Sequence, residues 1–252
     1  MSDRATPDQV ARAARDSGCR SVAFTYNDPV VFAEFAIDTA RACHEQGIKT
    51  VAVTAGYVST QARHEFFEVI DAANVDLKAF TEEFYRTQCS AHLEPVKETL
   101  RYLVRETRLW LEVTTLLIPG RNDSPEEIDQ LCDWFVRELG PDVPLHFSAF
   151  HPDFKMTDTP RTPASTCLRA RDQALRHGLR YVYTGNLQHP DSETTYCPQC
   201  AAPVIERHGY LIEAYRLNGN RCSHCDAPLA GHFDDSPPHE AWGSRRMRVR
   251  LS

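Results

Sequence analysis

The sequence lacks several features that would place it in a familiar class. It contains no run of eighteen apolar residues and no apolar segment after Met1, so neither a membrane span nor a secretory signal is predicted. Basic residues are not in excess either: the formal net charge is -7, which argues against general binding to nucleic acid or to a membrane surface. We therefore expect a cytoplasmic protein, in which nine cysteines stay as thiols or metal ligands.

A glycine-rich loop is also missing. The sequence has 11 glycines, and no cluster of them follows the first predicted strand. This argues against a conventional methyltransferase, because such enzymes bind their nucleotide cofactor on a glycine-rich turn. The apolar content of 42% is sufficient for one large domain with a small appendage.

Four of the cysteines have the spacing of a metal site. Cys197 and Cys200 form one C-x-x-C pair, and Cys222 and Cys225 form a second about twenty residues later. The segment between the pairs combines apolar residues with turn residues, which predicts short strands joined by turns. A zinc ribbon with one tetrahedral Zn²⁺ is built in this way. A single iron in the same four thiolates, two disulfides, and four unrelated thiols are the alternatives.

Strand and helix patterns alternate along the rest of the chain. Six apolar, β-rich runs predict strands at Val22–Tyr26, Thr50–Thr54, Val75–Lys78, Trp110–Ile118, Leu145–Phe150 and Tyr181–Tyr183. Capping hydroxyls predict helix starts at Thr6, Thr81, Ser124 and Thr162. The alternation predicts an α/β fold with a parallel sheet, open or curled into a partial barrel, that binds ligands at the C-terminal ends of its strands.

Polar residues collect at those strand ends. The candidate site residues are Asn27, Asp28, Gly56, Asp76, Lys78, Glu112, Thr114 and His151. Each has a structural alternative, such as a helix cap or an ion pair between Asp76 and Lys78. Alternate residues of a strand share a face, however, so Asp76 lies beside Lys78 and Glu112 beside Thr114. Charged side chains that point toward one edge of the sheet lower the stability of the fold unless a polar ligand binds them. The set therefore favours a small-molecule site.

Five segments carry a resemblance to a known family. They read FTYNDP from Phe24, VTAGY from Val53, VDLKAF from Val75, EVTTLLIPGRND from Glu112 and HFSAFHP from His146. Their order, together with the C-terminal cysteine pairs, resembles the radical S-adenosylmethionine (radical SAM) enzymes of the AmmeMemoRadiSam system, which are relatives of the pyruvate formate-lyase activating enzyme.

The resemblance and the composition of the tail together predict that the chain has three parts. Residues 1–190 are expected to form a partial radical SAM β/α barrel of the TIM-barrel type that lacks its first strand. Residues 191–235 are expected to form the zinc-ribbon-like module with its four cysteines. Residues 236–252 lack apolar periodicity, and we expect a disordered tail there.

The resemblance also implies roles in binding S-adenosylmethionine. Asp28, next to Asn27, corresponds to the acidic residue that holds the methionine ammonium group, a position where the family usually has Glu. Asp76 and Lys78 correspond to a pair near the methionyl and ribose portions, where Lys78 neutralises the carboxylate. His151 corresponds to a histidine near the adenosine.

Three further residues are candidates at the same site. Gly56 is expected to let the backbone pass close to the ligand. Glu112 and Thr114 are expected to contact the ribose or the substrate. The sequence identifies no catalytic residue.

The chain departs from the family at the cluster motif. The family holds a 4Fe-4S cluster with C-x-x-x-C-x-x-C, whose three thiolates leave one iron open for S-adenosylmethionine. No such motif occurs in this sequence, and the remaining cysteines are isolated and expected to be small buried residues: Cys19, Cys43, Cys89, Cys132 and Cys167. We expect that truncation or a late start removed the motif, with a paralogue that lost radical chemistry as the alternative.

Two functions therefore stay open. In the first, the complete protein is an enzyme that cleaves S-adenosylmethionine reductively to a 5'-deoxyadenosyl radical, and this chain is inactive alone. In the second, the chain is a cluster-free module that binds S-adenosylmethionine or a nucleotide and docks a partner through its ribbon. Family association implies Memo-type and AMME-type protein partners, and the sequence does not identify the small-molecule or protein substrate.

Overall fold

The structure is a computed structural model that describes residues 5–187, 189–209 and 211–233. The predicted tail at 236–252 lies outside the described residues. The described chain forms two compact units, the first made of residues 5–77 and 92–112 and the second of residues 78–91 and 113–233. The predicted boundaries after residues 190 and 235 stay predictions. Within the described ranges, no helix is both long enough and apolar enough to cross a membrane.

Helices and strands alternate as predicted. The elements before the cysteine pairs are α1 (Pro7–Asp16), β1 (Ser21–Phe24), α2 (Ala33–Glu45), β2 (Lys49–Thr54), α3 (Thr60–Glu68), β3 (Ala72–Asp76), α4 (Glu82–Phe84), α5 (Leu93–Glu106), β4 (Trp110–Leu117), α6 (Pro125–Glu138), β5 (Leu145–Ala149), α7 (Ala164–Arg176), β6 (Val182–Gly185) and α8 (Pro190–Glu193). A 3₁₀ turn at Pro29–Phe32 and a π-helical turn at Tyr85–Cys89 lie between them. All six predicted strands are present, and their ends differ from the prediction by a few residues.

The six strands form one parallel sheet in the order β1-β2-β3-β4-β5-β6. Ser21 lies opposite Lys49 at the β1 and β2 pair, and Leu145 lies opposite Val182 at the β5 and β6 pair. Neighbouring parallel strands joined through helices define an α/β fold, which confirms the predicted class. The curvature of a partial barrel stays a prediction.

Burial alternates along the strands with a period of two residues. In β3, Ala73 and Val75 are buried, whereas Asn74 and Asp76 are half-exposed. Helix α2 contacts β2 and helix α7 contacts β5, so helices cover the buried face of these strands. In β3 the half-exposed face, which carries Asn74 and Asp76, is the one available to a ligand.

Three predicted helix caps are confirmed. Thr6 and Gln9 form a reciprocal capping box: Thr6 Oγ1 accepts from the Gln9 N–H at 3.3 Å, and Gln9 Oε1 accepts from the Thr6 N–H at 3.0 Å. Ser124 accepts from the Glu127 N–H at 3.2 Å at the start of α6, and Thr81 caps α4 in the same way.

The predicted cap at Thr162 is wrong. Helix α7 begins after Pro163, and no side chain caps it. The buried Thr162 hydroxyl instead donates to the Leu117 carbonyl at 2.6 Å and accepts from the Phe150 N–H at 3.0 Å. Thr162 therefore ties the ends of β4 and β5 to the segment before α7, a long-range role that satisfies buried backbone groups.

Short antiparallel strands lie between the cysteine pairs, as predicted, and one more strand, β7 (Thr195–Tyr196), precedes the first pair. Strands β7, β8 (Pro203–His208) and β9 (Leu211–Tyr215) form one sheet, and β10 (Leu217–Asn218) pairs with β11 (Arg221–Cys222). The core of this module, hereafter the cysteine module, consists of Val204, Ile205, Leu217, Leu229, Cys197, Cys222 and Tyr181. Because Tyr181 immediately precedes β6, the cysteine module packs against the last strand of the sheet.

The isolated cysteines follow the prediction only in part. Cys43, Cys132 and Cys167 are buried, whereas Cys89 is half-buried. Cys19 is exposed, so its predicted burial between helix and strand is wrong. Ala11, Ala14, Ala42, Cys43 and Ile48 already form the small core of α1 and α2, and Cys19 lies outside it in the following turn.

Candidate functional site

Asp28 joins the C-terminal ends of β1 and β2. Its Oδ1 accepts from the Val30 N–H at 3.1 Å and from the Thr54 hydroxyl at 2.9 Å, and its Oδ2 accepts from the Ala55 N–H at 2.8 Å. We call this arrangement the Asp28 clasp. A carboxylate offers about four acceptor positions, so one position of this half-exposed group stays available to a ligand.

The residues just before the clasp are exposed. Tyr26 has φ 70° and is 100% exposed, and Asn27 is also exposed. A left-handed conformation costs a residue with a side chain roughly 1–2 kcal/mol, and such strain is concentrated at functional sites. Tyr26 was not among the predicted site residues, although its place between β1 and Asp28 was a usable signal.

Gly56 has a structural reason to be glycine. Its φ is +65°, and a Cβ atom there would lie 2.7 Å from Val75 Cγ1. The Gly56 N–H donates to Thr54 Oγ1 at 3.1 Å, so the residue belongs to the same turn as the clasp. The observed close approach is to Val75, and the predicted approach to a ligand stays a prediction.

In the first unit, two more candidate residues lie on half-exposed faces. Asp76 is half-exposed at the end of β3, and its neighbours Val75 and Leu77 are buried. Glu112 is half-exposed in β4, where its Oε1 accepts from Trp110 Nε1 at 3.0 Å.

In the second unit, Lys78 and Thr114 are also half-exposed. Leu77 and Ala79, on either side of Lys78, are buried, as the alternating pattern requires. Strand β5 places His146 and Ser148 on the corresponding face, and the His146 ring stacks on Tyr183 at 5.1 Å between centroids. His146 and Ser148 were not among the predicted site residues, although polar residues at alternate positions of a strand were a sufficient signal.

His151 is exposed and follows β5. Its Nδ1 lies 3.5 Å from the Pro152 carbonyl oxygen, which is too long for a strong hydrogen bond. The predicted convergence of Asp28, Asp76, Lys78 and His151 in one cleft stays a prediction.

The four cysteines of the C-terminal pairs form a compact group. The Sγ atoms of Cys197 and Cys225 are 3.6 Å apart, those of Cys200 and Cys222 are 3.8 Å apart, and all four lie within 4.8 Å of one another. Four thiolates at about 2.3 Å from one tetrahedral ion are separated by about 3.8 Å. The group therefore has the geometry of a mononuclear metal centre.

The thiols of this group differ in pKa. Burial opposes ionisation of Cys197, but hydrogen bonds from the backbone of Cys200 and Gln199 and from neighbouring thiols outweigh it and lower its pKa to about 7. For Cys225, the Ala227 N–H lowers the pKa, whereas burial and the other thiols raise it, with a net value of about 12. Four thiols this close cannot all ionise without a cation, so metal binding releases protons.

No second group of metal ligands exists in the described part of the chain. There, the four cysteines of the module are the only set of three or more Cys, His, Asp or Glu side chains close enough to hold one ion. Burial raises the pKa of Cys132 to about 12, with help from Asp129 and Asp133, and that of Cys167 to about 11, so both are poor thiolate ligands. The described residues therefore do not fit a three-thiolate 4Fe-4S cluster.

The chain belongs to the radical SAM superfamily, whose family model it matches over residues 2–135. Membership implies S-adenosylmethionine and an iron-sulfur cluster as cofactors of the family. The Asp28 carboxylate, which has one acceptor position available, is chemically suited to bind an ammonium group such as that of S-adenosylmethionine.

Its relatives include activating enzymes. The uncharacterized protein MJ0808 of Methanocaldococcus jannaschii is 38% identical over 222 residues, which are 87% of this chain and 66% of that protein. The pyruvate formate-lyase 1-activating enzyme of Escherichia coli is 26% identical over 127 residues, 49% of this chain and 50% of that enzyme. The chain thus spans less than two thirds of the length of either relative.

A solved structure supports the fold. A domain of pyruvate-formate lyase-activating enzyme from Bacteroides vulgatus has a TM-score of 0.57 and 19% identity, covering 66% of this chain and 98% of that domain. At this identity the likeness concerns the architecture.

Proposed function

We propose that this chain is the part of a radical SAM enzyme of the AmmeMemoRadiSam type that binds the organic portion of S-adenosylmethionine. The Asp28 clasp carries the proposal, because it fixes a carboxylate at the strand ends with one acceptor position available. In the complete protein, the family's cofactors supply reductive cleavage of S-adenosylmethionine to a 5'-deoxyadenosyl radical.

Each candidate residue has a chemical counterpart on the ligand. Asp28 accepts from the methionine ammonium group, and Lys78 neutralises the methionine carboxylate. Asp76 accepts from a ribose hydroxyl, and His151 lies against the adenosine. Glu112 has the same acceptor chemistry as Asp76.

The cysteine module holds one Zn²⁺ in this proposal. The Sγ separations of 3.6 Å and 3.8 Å support a single tetrahedral ion. Elemental analysis of purified protein distinguishes the metals. About one equivalent of zinc is expected, and less than about half an equivalent with iron in its place contradicts the zinc assignment.

A second function is favoured by the lack of three further thiolate ligands in the described residues. In that case the chain is a cluster-free module that binds S-adenosylmethionine or a nucleotide and docks a partner through the cysteine module. Memo-type and AMME-type proteins are the proposed partners in either case.

Calorimetric titration with S-adenosylmethionine tests the binding site. Asp28→Ala removes one charged hydrogen bond to the ligand and should weaken binding by about 2 kcal/mol, or about thirtyfold. Asp71→Ala is the matched control: Asp71 also accepts several hydrogen bonds, from Lys49, Thr50 and His44, but it precedes β3 rather than following a strand. Equal affinities of wild type and Asp28→Ala would refute the assignment.

Anaerobic reconstitution with iron and sulfide separates the two functions. This chain, expressed alone, should form no 4Fe-4S cluster and release no 5'-deoxyadenosine. If the chain is part of an enzyme, adding upstream residues that carry three cysteines restores both signals. If it is a cluster-free module, S-adenosylmethionine binds and no such extension produces 5'-deoxyadenosine. Cluster absorbance with reductant-dependent 5'-deoxyadenosine from the chain as given would show that its ligand set was misread.

A further inference from the structure

The backbone of Lys78 is held by two buried side chains. Its N–H donates to the Tyr85 hydroxyl oxygen at 3.1 Å, and its carbonyl accepts from Asn122 Nδ2 at 2.7 Å. Two residues later, the Phe80 N–H donates to Glu127 Oε1 at 2.6 Å. Side chains, rather than a neighbouring strand, therefore satisfy these backbone groups just after β3.

Asn122 uses its whole amide for this purpose. Besides the bond to Lys78, its Nδ2 donates to the Leu116 carbonyl at 2.9 Å, and its Oδ1 accepts from the Ile118 N–H at 2.7 Å. The side chain is only 3% exposed. It thereby fixes the end of β4 and the backbone of Lys78 to one another, and because both Nδ2 hydrogens are used, the buried amide has no donor left for a ligand.

Tyr85 holds the other side of the same peptide segment. It is 2% exposed and begins the π-helical turn Tyr85–Cys89. The turn ends at Ser90, which has a left-handed φ of 52°. π-Helical turns and left-handed non-glycine residues both cost stability and occur preferentially at functional sites.

We propose that Asn122 and Tyr85 are positioning residues for Lys78. They fix the direction in which its side chain leaves the backbone, so that the ammonium group is presented to the carboxylate of the bound ligand. Neither residue touches the ligand. This inference rests on the proposed function, because that function supplies the anionic partner of Lys78.

The physical reason lies in the lysine side chain. Four methylene groups separate its charge from the backbone, and ordering such a chain on binding has an entropic cost. A fixed backbone limits the directions that the side chain can take before the ligand arrives, so less entropy is lost when the ligand binds. A lysine on a mobile segment would bind the same carboxylate more weakly.

A double-mutant cycle tests the proposal with S-adenosylmethionine as the probe. Asn122→Ala should weaken binding by about tenfold, as is typical of side chains that orient a ligand-binding group. In a Lys78→Ala background the same change should alter affinity less than twofold, because Asn122 acts through Lys78. Equal factors in both backgrounds would show a merely structural role and overturn the proposal.

Two further variants keep the test decisive. Tyr85→Phe removes only the acceptor oxygen and preserves the ring, so it replaces Asn122→Ala in the cycle if that variant does not fold. Gln173→Ala is the matched control, since Gln173 is a buried amide that donates to the Pro125 carbonyl at 3.1 Å without contacting Lys78. It should lower thermal stability and leave affinity unchanged.

A second measurement does not need S-adenosylmethionine. The chain has four lysines, Lys49, Lys78, Lys97 and Lys155. Reductive methylation with ¹³C-formaldehyde therefore gives few resonances, and the one from Lys78 is identified by its loss in Lys78→Arg. Tyr85→Phe should shift or broaden this resonance, and Gln173→Ala should not.

The two measurements separate the failure of the inference from that of the proposed function. If wild type does not bind S-adenosylmethionine, the proposed function fails, and the Lys78 resonance alone decides whether the positioning holds. If wild type binds but the Lys78 resonance is unchanged in Tyr85→Phe, the positioning proposal is overturned while the function stands.

Discussion

Replacing Cys200 is the sharpest test of whether a metal stabilises the cysteine module. Cys200 is exposed, whereas Cys197 and Cys222 are each 1% exposed and belong to the apolar core. Cys200→Ala therefore removes one thiolate without creating a cavity. Any loss of stability then measures metal binding rather than packing.

The expected effect is large because the module is small. Residues 196–233 are close to the size below which a domain rarely folds without a metal, a disulfide or a partner. The four buried aliphatic side chains contribute about 1.5–3 kcal/mol each, or about 6–12 kcal/mol together. A structural Zn²⁺ contributes about 10–16 kcal/mol, so a variant that no longer holds the metal loses an amount comparable to the contribution of the whole aliphatic core.

Hydrogen exchange combined with metal analysis measures the outcome. In Cys200→Ala, the metal should be lost, and so should protection of the Cys197 N–H, which donates to the Ala202 carbonyl at 2.9 Å. Protection of the Ala230 N–H should fall with it, because that group donates to the Tyr181 hydroxyl at 3.1 Å. Protection in β1 to β5 should persist.

Cys19→Ala is the control, because Cys19 is an exposed cysteine outside the module. It should keep one equivalent of metal and full protection. If Cys200→Ala also keeps the metal and its protected amides, the four thiolates do not act as one site.

Three further predictions concern the sheet and its ends. Burial raises the pKa of Glu127, so the free energy of unfolding of the wild type should fall as pH rises through that pKa. In Glu127→Gln, the side-chain oxygen can still accept from the Phe80 N–H, and this fall should be absent when urea unfolding is measured at several pH values. Burial opposes ionisation of Asp71, but hydrogen bonds outweigh it and lower the pKa of this carboxyl group. The stabilisation from ionised Asp71 is present above about pH 4 and is lost as pH falls through the lowered pKa. Asp71→Asn should therefore make the free energy of unfolding depend less on pH in the acid range. Gly56→Ala places a Cβ 2.7 Å from Val75 Cγ1 at φ +65° and should lower the free energy of unfolding by about 2–4 kcal/mol, part of which Val75→Ala restores.

Each of these has a clear contrary result. A Glu127→Gln variant with the same pH profile as wild type would mean that the carboxyl group titrates normally in the folded state. If Asp71→Asn has the same pH dependence of stability in the acid range as wild type, Asp71 does not contribute to acid unfolding. A Gly56→Ala variant as stable as wild type would show that the turn after β2 relaxes without strain.

The fold was predictable because its signals are local. The capping box at Thr6 and the β-rich runs act over a few residues, and each gave the right element. Strand β3 was displaced in the prediction, toward Lys78, because Ala72 and Asn74 have low strand propensity. Pairing of Val51 with Ala72 overrides that propensity, and this depends on a partner strand distant in sequence.

For the candidate site residues, only their placement on the fold was predictable, for the same reason. The cysteine pairs are recognised by spacing, and the side chains of Asp76 and Thr114 by alternation along a strand. Asn122 and Tyr85 could not be found in this way, because they bind backbone atoms of Lys78, 44 and 7 residues away. Hydrogen bonds from a side chain to a distant backbone group leave no periodic pattern in a sequence.

The clasp also gives a physical reason for aspartate where the resembling family usually has glutamate. The Asp28 carboxylate reaches the Val30 N–H two residues ahead in its own turn, and it reaches Thr54 and Ala55 at the end of β2. One more methylene group would carry the carboxylate past the Val30 N–H, a contact that depends on a short side chain. The shorter side chain therefore extends less far from the backbone but forms hydrogen bonds at both strand ends.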